Sequence, residues 1–154
     1  MQEIRHVFEI EADRTAVFDA MTSEKGLSSW WTTNVEAEEG IGGVVRFMFA
    51  RPGEVDSRGR VSSGFTPEMR IVELDPDSLL VWECVGGAEP WLGARITFRL
   101  VDERPGVTGV RFIQDYAKKL PDDEFGVYNF NWAYYLESFR LFCEQGVGKP
   151  FQAS

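Results

Sequence analysis

Apolar and polar side chains alternate over residues 2–11, with Ile4, His6, Phe8 and Ile10 on one side and Glu3, Arg5, Val7, Glu9 and Glu11 on the other. A period of two predicts a strand. Asp13 then stands where a helix N-cap should, ahead of a short apolar face of Val17, Phe18 and Met21. Residues 23–26 close that helix, and residues 27–31 predict a second short helical turn carrying paired tryptophans. Residues 34–39 are a candidate strand, and Gly40-Ile41-Gly42-Gly43 a turn. Val45, Phe47 and Phe49 alternate with Val44, Arg46 and Met48 in the next strand, which Arg51-Pro52-Gly53 breaks. Residues 58–65 read as a weak strand or a loop. Residues 68–74 and 79–85 form a hairpin around the tight turn Asp75-Pro76-Asp77-Ser78. After a loop holding Trp91, residues 94–101 and 107–115 make the last strand pair, with Val110, Phe112 and Gln114 sharing a face.

The C-terminal third changes period. Pro121-Asp122-Asp123-Glu124 is a helix start, since proline suits the first turn and acids suit the positive end of the helix dipole. The helix is predicted over about 123–145, where Gly146 and Gly148 stop it and Pro150 keeps it stopped. Phe125, Tyr128, Trp132, Tyr135, Leu136, Phe139 and Cys143 recur at spacings of three and four. Phe130, Tyr134, Leu141 and Phe142 widen that surface beyond one stripe. A helix apolar most of the way round is buried by a structure that wraps it. Six or seven antiparallel strands can supply the wrap, so the class is α+β. The 154 residues fit a single domain over 1–154, with no linker, repeat or low-complexity stretch.

Composition sharpens this picture. Twelve Phe, five Trp and four Tyr imply an interior that is wide, or partly hollow and lined with rings. The net charge of −9, without any basic run, argues against nucleic acid and against an anionic membrane surface. Two cysteines are no disulfide framework, and residues 1–6 hold no apolar signal core. No apolar run approaches a membrane span. These features read as a cytoplasmic protein with free thiols.

The order strand, two short helices, strand meander and long terminal helix resembles the START-related helix-grip (SRPBCC) superfamily, which includes the major birch pollen allergen and aromatic polyketide cyclases. Within it the chain is similar to the branch named for the activator of heat-shock protein 90 ATPase homologue. The matching residues are Ala16-Val17-Phe18-Asp19-Ala20-Met21-Thr22, the turn from Leu27 to Trp30-Trp31, Gly42-Gly43 with Arg46-Phe47, and Val72-Glu73-Leu74-Asp75-Pro76 with Leu79-Leu80-Val81-Trp82. Arg95-Ile96-Thr97-Phe98, Thr108-Gly109-Val110, and Trp132, Leu136, Phe139 with the exit Glu144 to Pro150 complete the match. The resemblance implies a helix-grip fold: a curved antiparallel sheet of six to seven strands around a long C-terminal helix, with two short helices after strand 1. It also implies a cavity between sheet and helix. Many relatives carry a histidine near the end of the last strand, where this chain has Gln114.

Chemistry is sparse. His6, the one histidine, lies among Ile4, Phe8 and Ile10 and reads as packed structure rather than a catalyst. One His and two distant Cys make no nitrogen–sulfur metal site, so no catalytic residue, metal or cofactor is assigned. Gly146-Val147-Gly148-Lys149 follows a helix instead of opening one and reads as a C-cap, not a phosphate loop. Arg46 and Arg95 fall opposite apolar neighbours and point to solvent.

A small hydrophobic or aromatic ligand is therefore expected between Tyr128, Trp132, Tyr135 and Phe139 of the helix and Phe47, Phe49, Trp82, Phe98 and Phe112 of the sheet. Gln114, Glu83 or a tyrosine hydroxyl would orient it; Glu83 qualifies if the face of Leu79 and Val81 is the inner one. The helix stripe alone reads as plain core, and the resemblance shifts it toward a ligand pocket; Tyr128 and Tyr135 read equally as packed rings with satisfied hydroxyls. A cyclase or hydrolase acting on a polyketide-like substrate is the enzymatic alternative, with Glu83 as base. A chaperone-activating module ranks last, and a homodimer leaves no signature in the sequence.

Overall fold

The computed structural model describes residues 2–49 and 64–152. The expected break at Arg51-Pro52-Gly53, and residues 58–63 of the expected weak strand or loop, lie outside the described residues. Among the described residues seven strands form one antiparallel sheet: β1 (Glu3–Ile10), β2 (Val35–Ala37), β3 (Val44–Phe47), β4 (Glu68–Asp75), β5 (Leu79–Gly86), β6 (Arg95–Arg104) and β7 (Val107–Asp115). Their order is β1-β7-β6-β5-β4-β3-β2. Two short helices, α1 (Arg14–Thr22) and α2 (Glu24–Trp30), follow β1, and the long helix α3 (Asp122–Gln145) ends the chain's regular structure. This is the α+β class that the periods predict, in the helix-grip architecture that the resemblance implies.

Successive residues face opposite sides of a sheet, so each strand turns one row of side chains to the core; on β5 Val81 of the other row is buried as well. The inner rows include Val45 and Phe47 on β3, Met69 and Ile71 on β4, Leu80, Trp82 and Cys84 on β5, Ile96, Phe98 and Leu100 on β6, and Val110, Phe112 and Gln114 on β7. Arg46 and Arg95 face solvent as expected, and each meets a neighbouring carboxylate: Arg46 with Glu68 at 3.2 Å, Arg95 with Glu83 at 3.6 Å. Exposed pairs of this kind contribute little to stability.

The short helices differ from expectation in detail. Asp13 occupies the N-cap position of α1, but its side chain makes no capping bond. Ser23 is a joint rather than a terminator: its N–H closes α1 on Asp19, and its hydroxyl accepts from Gly26 N at 2.9 Å to open α2. The second helix thus begins at Glu24, ahead of the expected start at residue 27.

The end of α3 fixes the tail. Gly146 adopts φ 81°, the left-handed conformation that terminates helices, and its N–H bonds Phe142 O at 2.8 Å. Ser138 then ties helix, tail and α2 together: its hydroxyl donates to Trp30 O at 2.7 Å and accepts from Lys149 N at 2.6 Å. Phe151 exchanges backbone bonds with Trp31 and Thr33, which returns the tail to the end of α2.

A meander places alternate connections at the same end of the sheet. The end of β3, the start of β4, the β5–β6 connection and the end of β7 therefore gather at one rim. The N-terminal half of α3 and the Trp31–Phe151 contact complete that rim.

The tail crossing is tight enough to test. A Cβ at Gly148 would stand 2.5 Å from Ser29 O and 3.0 Å from Ser138 O. Both are backbone oxygens held in helices, so the tail must move. Gly148→Ala should lower stability by about 1–3 kcal/mol, the usual cost of forced repacking. The guanidinium midpoint should fall with the slope unchanged; an unaltered midpoint would mean the tail is not held there.

Candidate functional site

The aromatic interior is filled rather than hollow. Trp132 packs its ring 4.5 Å from Phe112 and 4.8 Å from Trp31. Phe139 meets Trp30 at 4.8 Å and Phe98 edge-on at 6.2 Å, while Trp82 packs against Phe47 and Phe98. Edge-to-face and tilted pairs at these separations are favourable beyond the area they bury. Phe47, Trp82, Phe98, Phe112 and Phe139 are all fully buried. They were expected on a cavity wall and stand instead in the packed layer beneath it.

An open-sided cleft of about 380 Å³ remains at the rim. Tyr128, Asn131, Trp132 and Tyr135 form its α3 wall, the i, i+3, i+4, i+7 face of one helix. Trp31 and Phe151 close one side, joined by the backbone bonds of the tail. Phe49, Phe65 and Trp91 close the other; Trp91 lies in a single 3₁₀ turn, Glu89–Trp91, between β5 and β6. Phe65 stands edge-on to Trp91 at 5.0 Å. Of the residues expected to contact a ligand, the structure brings Phe49, Tyr128, Trp132 and Tyr135 to this cleft.

Gln114 sits directly behind the wall. Its Oε1 accepts from Trp132 Nε1 at 2.7 Å and from Tyr116 OH at 2.8 Å, which uses both carbonyl lone pairs. An indole N–H can only donate, so the amide orientation is fixed, and Gln114 Nε2 is left buried without a protein partner. Trp91 Nε1 is likewise buried and unpartnered. His6 packs its ring 6.1 Å from Phe112 on the inner face of β1, away from the cleft residues.

Glu83 requires a correction. Leu80, Trp82 and Cys84 form the inner row of β5, so Glu83 lies on the outer face, opposite Arg95. Both rows of this strand are apolar near Glu83, and alternation alone does not say which faces in. The base that the cyclase reading needs is therefore on the wrong side of the sheet.

Trp31, Phe65, Trp91, Asn131, Phe151 and Tyr116 escaped the sequence-based wall. All but Asn131 lie in turns, in the tail or beyond a strand end, where no period reports orientation. The signal available was topological: alternate meander connections share an end, so aromatics in those connections must meet.

Burial sets the state of the phenols. It pushes Tyr135 up to about 12, and with Glu124 beside it, Tyr128 up to about 12 as well. Tyr116 is raised further, again by burial first. Tyr128 donates its hydroxyl to Glu124 at 3.2 Å. Burial also raises both thiols, Cys143 to about 12, which holds them protonated and poorly nucleophilic. Among the described residues no cluster of three or more His, Cys, Asp or Glu side chains is arranged to hold a metal, and no helix is long and apolar enough to cross a membrane.

Known proteins match this arrangement. The family described as Activator of Hsp90 ATPase homolog 1-like protein matches residues 11–144. The solution structure of the Aha1 dimer from Colwellia psychrerythraea is similar, with 26% identity, a TM-score of 0.77, and 96% of this chain and 100% of that one covered. The protein SSP2350 from Staphylococcus saprophyticus shares the fold at 13% identity and TM-score 0.69, over 99% of this chain and 100% of its own. CalU16 from Micromonospora echinospora does so at 15% identity and TM-score 0.64, over 94% of this chain and 77% of its own. No curated protein matches the sequence.

The raised phenols predict an alkaline transition. In the unfolded chain they titrate near the ordinary value of 10. Stability that is intact below that pH is then lost as pH rises toward the folded values, because the unfolded state releases its protons first. Phenolate absorbance at 295 nm from these rings should arrive together with loss of the near-ultraviolet aromatic signal. A smooth titration near pH 10 with that signal intact would show the three rings to be solvated.

Proposed function

Because the chain belongs to the family described as Activator of Hsp90 ATPase homolog 1-like protein, a helix-grip family, we propose that it binds a small hydrophobic or aromatic molecule in the rim cleft. The observation that carries this reading is the cleft itself: about 380 Å³, its described lining residues all aromatic except Asn131. That volume lies in the range of small-molecule sites, which run from roughly 300 to 1,000 Å³ and are mostly apolar with few polar groups. A residual gap in an otherwise packed core forfeits dispersion contacts on every lining ring. A flat ligand restores them. Affinity would come from area removed from water, and the half-buried tyrosines would adapt to the ligand at little cost in order.

Assembly has its own support. Val127, Phe130 and Tyr134 leave 56%, 75% and 50% of their surfaces exposed on the outer face of α3. Residues 125–136 contain no charged side chain, in a chain that is 27% charged. On this second reading two copies pair through that face, as befits a chain similar over its length to one solved as a dimer. The face lies around the helix from the cleft wall, so pairing leaves the cleft free.

Two measurements test these readings. Native mass spectrometry of freshly purified protein should show a reproducible added mass that organic extraction removes, or uptake of flat aromatics from a panel of flavonoids and polycyclic ketones. Tyr135→Ala should then weaken uptake by about tenfold, the scale of one lost aromatic contact. A clean mass with no uptake across the panel would leave a packed core and end the ligand reading. Sedimentation velocity should give twice the chain mass for the wild type and the single chain mass for Phe130→Glu; a wild-type monomer at tens of micromolar would end the pairing reading.

A further inference from the structure

The outer face of α3 carries a pattern of charge as well as of apolar side chains. Asp123, Val127, Phe130, Tyr134 and Glu137 recur at spacings of four and three, so they stand in one row along the helix. The three apolar members are exposed, Phe130 most of all at 75%. Asp123 and Glu137 are exposed at the two ends of that row. At 1.5 Å per residue those ends lie about 21 Å apart.

Both ends are acidic. Over Asp122–Gln145 the helix carries five carboxylates, on Asp122, Asp123, Glu124, Glu137 and Glu144, and one cation, Arg140. Arg140 is taken up by Glu137 and Glu144 together. Ahead of the helix, Lys118 is taken up by Glu89, which leaves Lys119 as the cation nearest in sequence to the three first-turn acids.

A second copy covers the apolar row at a cost in charge. Asp123 and Glu137 both lie seven residues from Phe130. Antiparallel helices crossing there bring Asp123 of each copy toward Glu137 of the other, and parallel helices bring each carboxylate toward its own counterpart. The whole chains add the repulsion of −9 against −9. Like charges brought together across an interface weigh against a partner as contacts weigh for it. A basic helix meets none of this opposition. The row is also a ridge, with Gly126 and Ala133 exposed beside Phe130, and such ridges pack into the grooves of another helix.

We propose that this face of α3 docks a basic amphipathic helix of another protein, whose apolar stripe covers Val127, Phe130 and Tyr134 and whose lysines or arginines meet Asp123 and Glu137. The inference goes beyond the pairing reading, with which it shares the exposed face. Basic helix and second copy compete for that face, and the basic helix is the better matched in charge.

The probe is a dye-labelled synthetic helix of about 18 residues, long enough to span the row, with leucines on one face and lysines on both flanks. Its control has every lysine replaced by glutamate. Fluorescence anisotropy should show the lysine peptide binding wild-type protein about tenfold more tightly than the glutamate peptide. Sedimentation velocity should show it separating paired copies. Phe130→Glu should abolish the binding, although it adds a negative charge that a purely electrostatic attraction would favour. Asp123→Asn with Glu137→Gln should weaken the lysine peptide by about fivefold, the scale of two exposed charge pairs, and should tighten pairing of the protein with itself. All three positions are exposed, so the variants leave the core untouched. Equal binding of the two peptides, or binding that survives Phe130→Glu, would overturn the inference. A wild-type protein that pairs but takes neither peptide would overturn it while leaving the pairing reading standing. A wild-type monomer that binds the lysine peptide through Phe130 would uphold the inference and end the pairing reading, and a monomer that takes neither peptide would end both.

Discussion

The bond from Trp132 Nε1 to Gln114 Oε1 fixes how the long helix lies on the sheet. A buried amide carbonyl without a donor would cost on the order of 1–3 kcal/mol, and a buried indole N–H without an acceptor about as much. The two groups meet at 2.7 Å, and Tyr116 completes the carbonyl's shell at 2.8 Å. Once Trp132 points at the last full strand, the rotation of α3 is set. Tyr128 and Tyr135, a turn to either side, fall on the rim. Leu136 and Phe139 fall into the core, and Val127, Phe130 and Tyr134 are turned to solvent. One polar contact in an otherwise aromatic layer thus separates a helix that is apolar nearly all round into a core face, a cleft face and an outer face.

Aromatic density decides where empty space survives. Rings from α2, α3 and β3, β5, β6 and β7 interlock under the middle of the helix at centroid separations between 4.3 and 6.2 Å. Close packing there leaves no room for a ligand. At the rim the sheet has ended and backbone turns replace it. Turns must keep their amides paired, so they cannot approach the helix as closely as side chains from a strand do. The cleft is the gap between a packed sandwich of rings and the turns that border it. Its described walls come from six separate stretches of the chain, and the tail's pairing with Trp31 and Thr33 is what delivers the last ring, Phe151.

The fold was legible because two clean periods carry it. Period two marks β1, β3, β6 and β7, turn signals bracket β4 and β5, and the three-and-four spacing from Phe125 to Cys143 marks α3. The site was legible only where it borrows those periods. Tyr128, Trp132 and Tyr135 share a helix face that sequence spacing displays, and Phe49 continues the alternation of β3 past its last ladder residue. Glu83 was placed on the wrong face because Leu79 and Val81 alternate with Leu80 and Trp82, and two apolar rows give alternation nothing to choose between. Trp31, Trp91 and Phe151 have no period at all. What fixes them is long-range: a Gly148 crossing, a 3₁₀ turn, and the rule that alternate connections of a meander share an end.

Among the described residues, three of the four buried side-chain atoms left without a partner are nitrogens that can only donate, on Trp82, Trp91 and Gln114; the fourth is His6 Nε2. Backbone amides of the strands pair among themselves, so side chains bring the polar atoms that the aromatic interior must still satisfy, tryptophan and glutamine among them. Tryptophan brings a donor and no acceptor. With five tryptophans and a single buried glutamine carbonyl already shared between two donors, an interior built this way runs short of acceptors. Trp30 meets its need on the Ala20 carbonyl at 2.7 Å, at the close of α1, and Trp132 takes Gln114. Trp82 and Trp91 are left over. Of these two, Trp91 lines the cleft with its ring, while its Nε1 stays buried behind that surface.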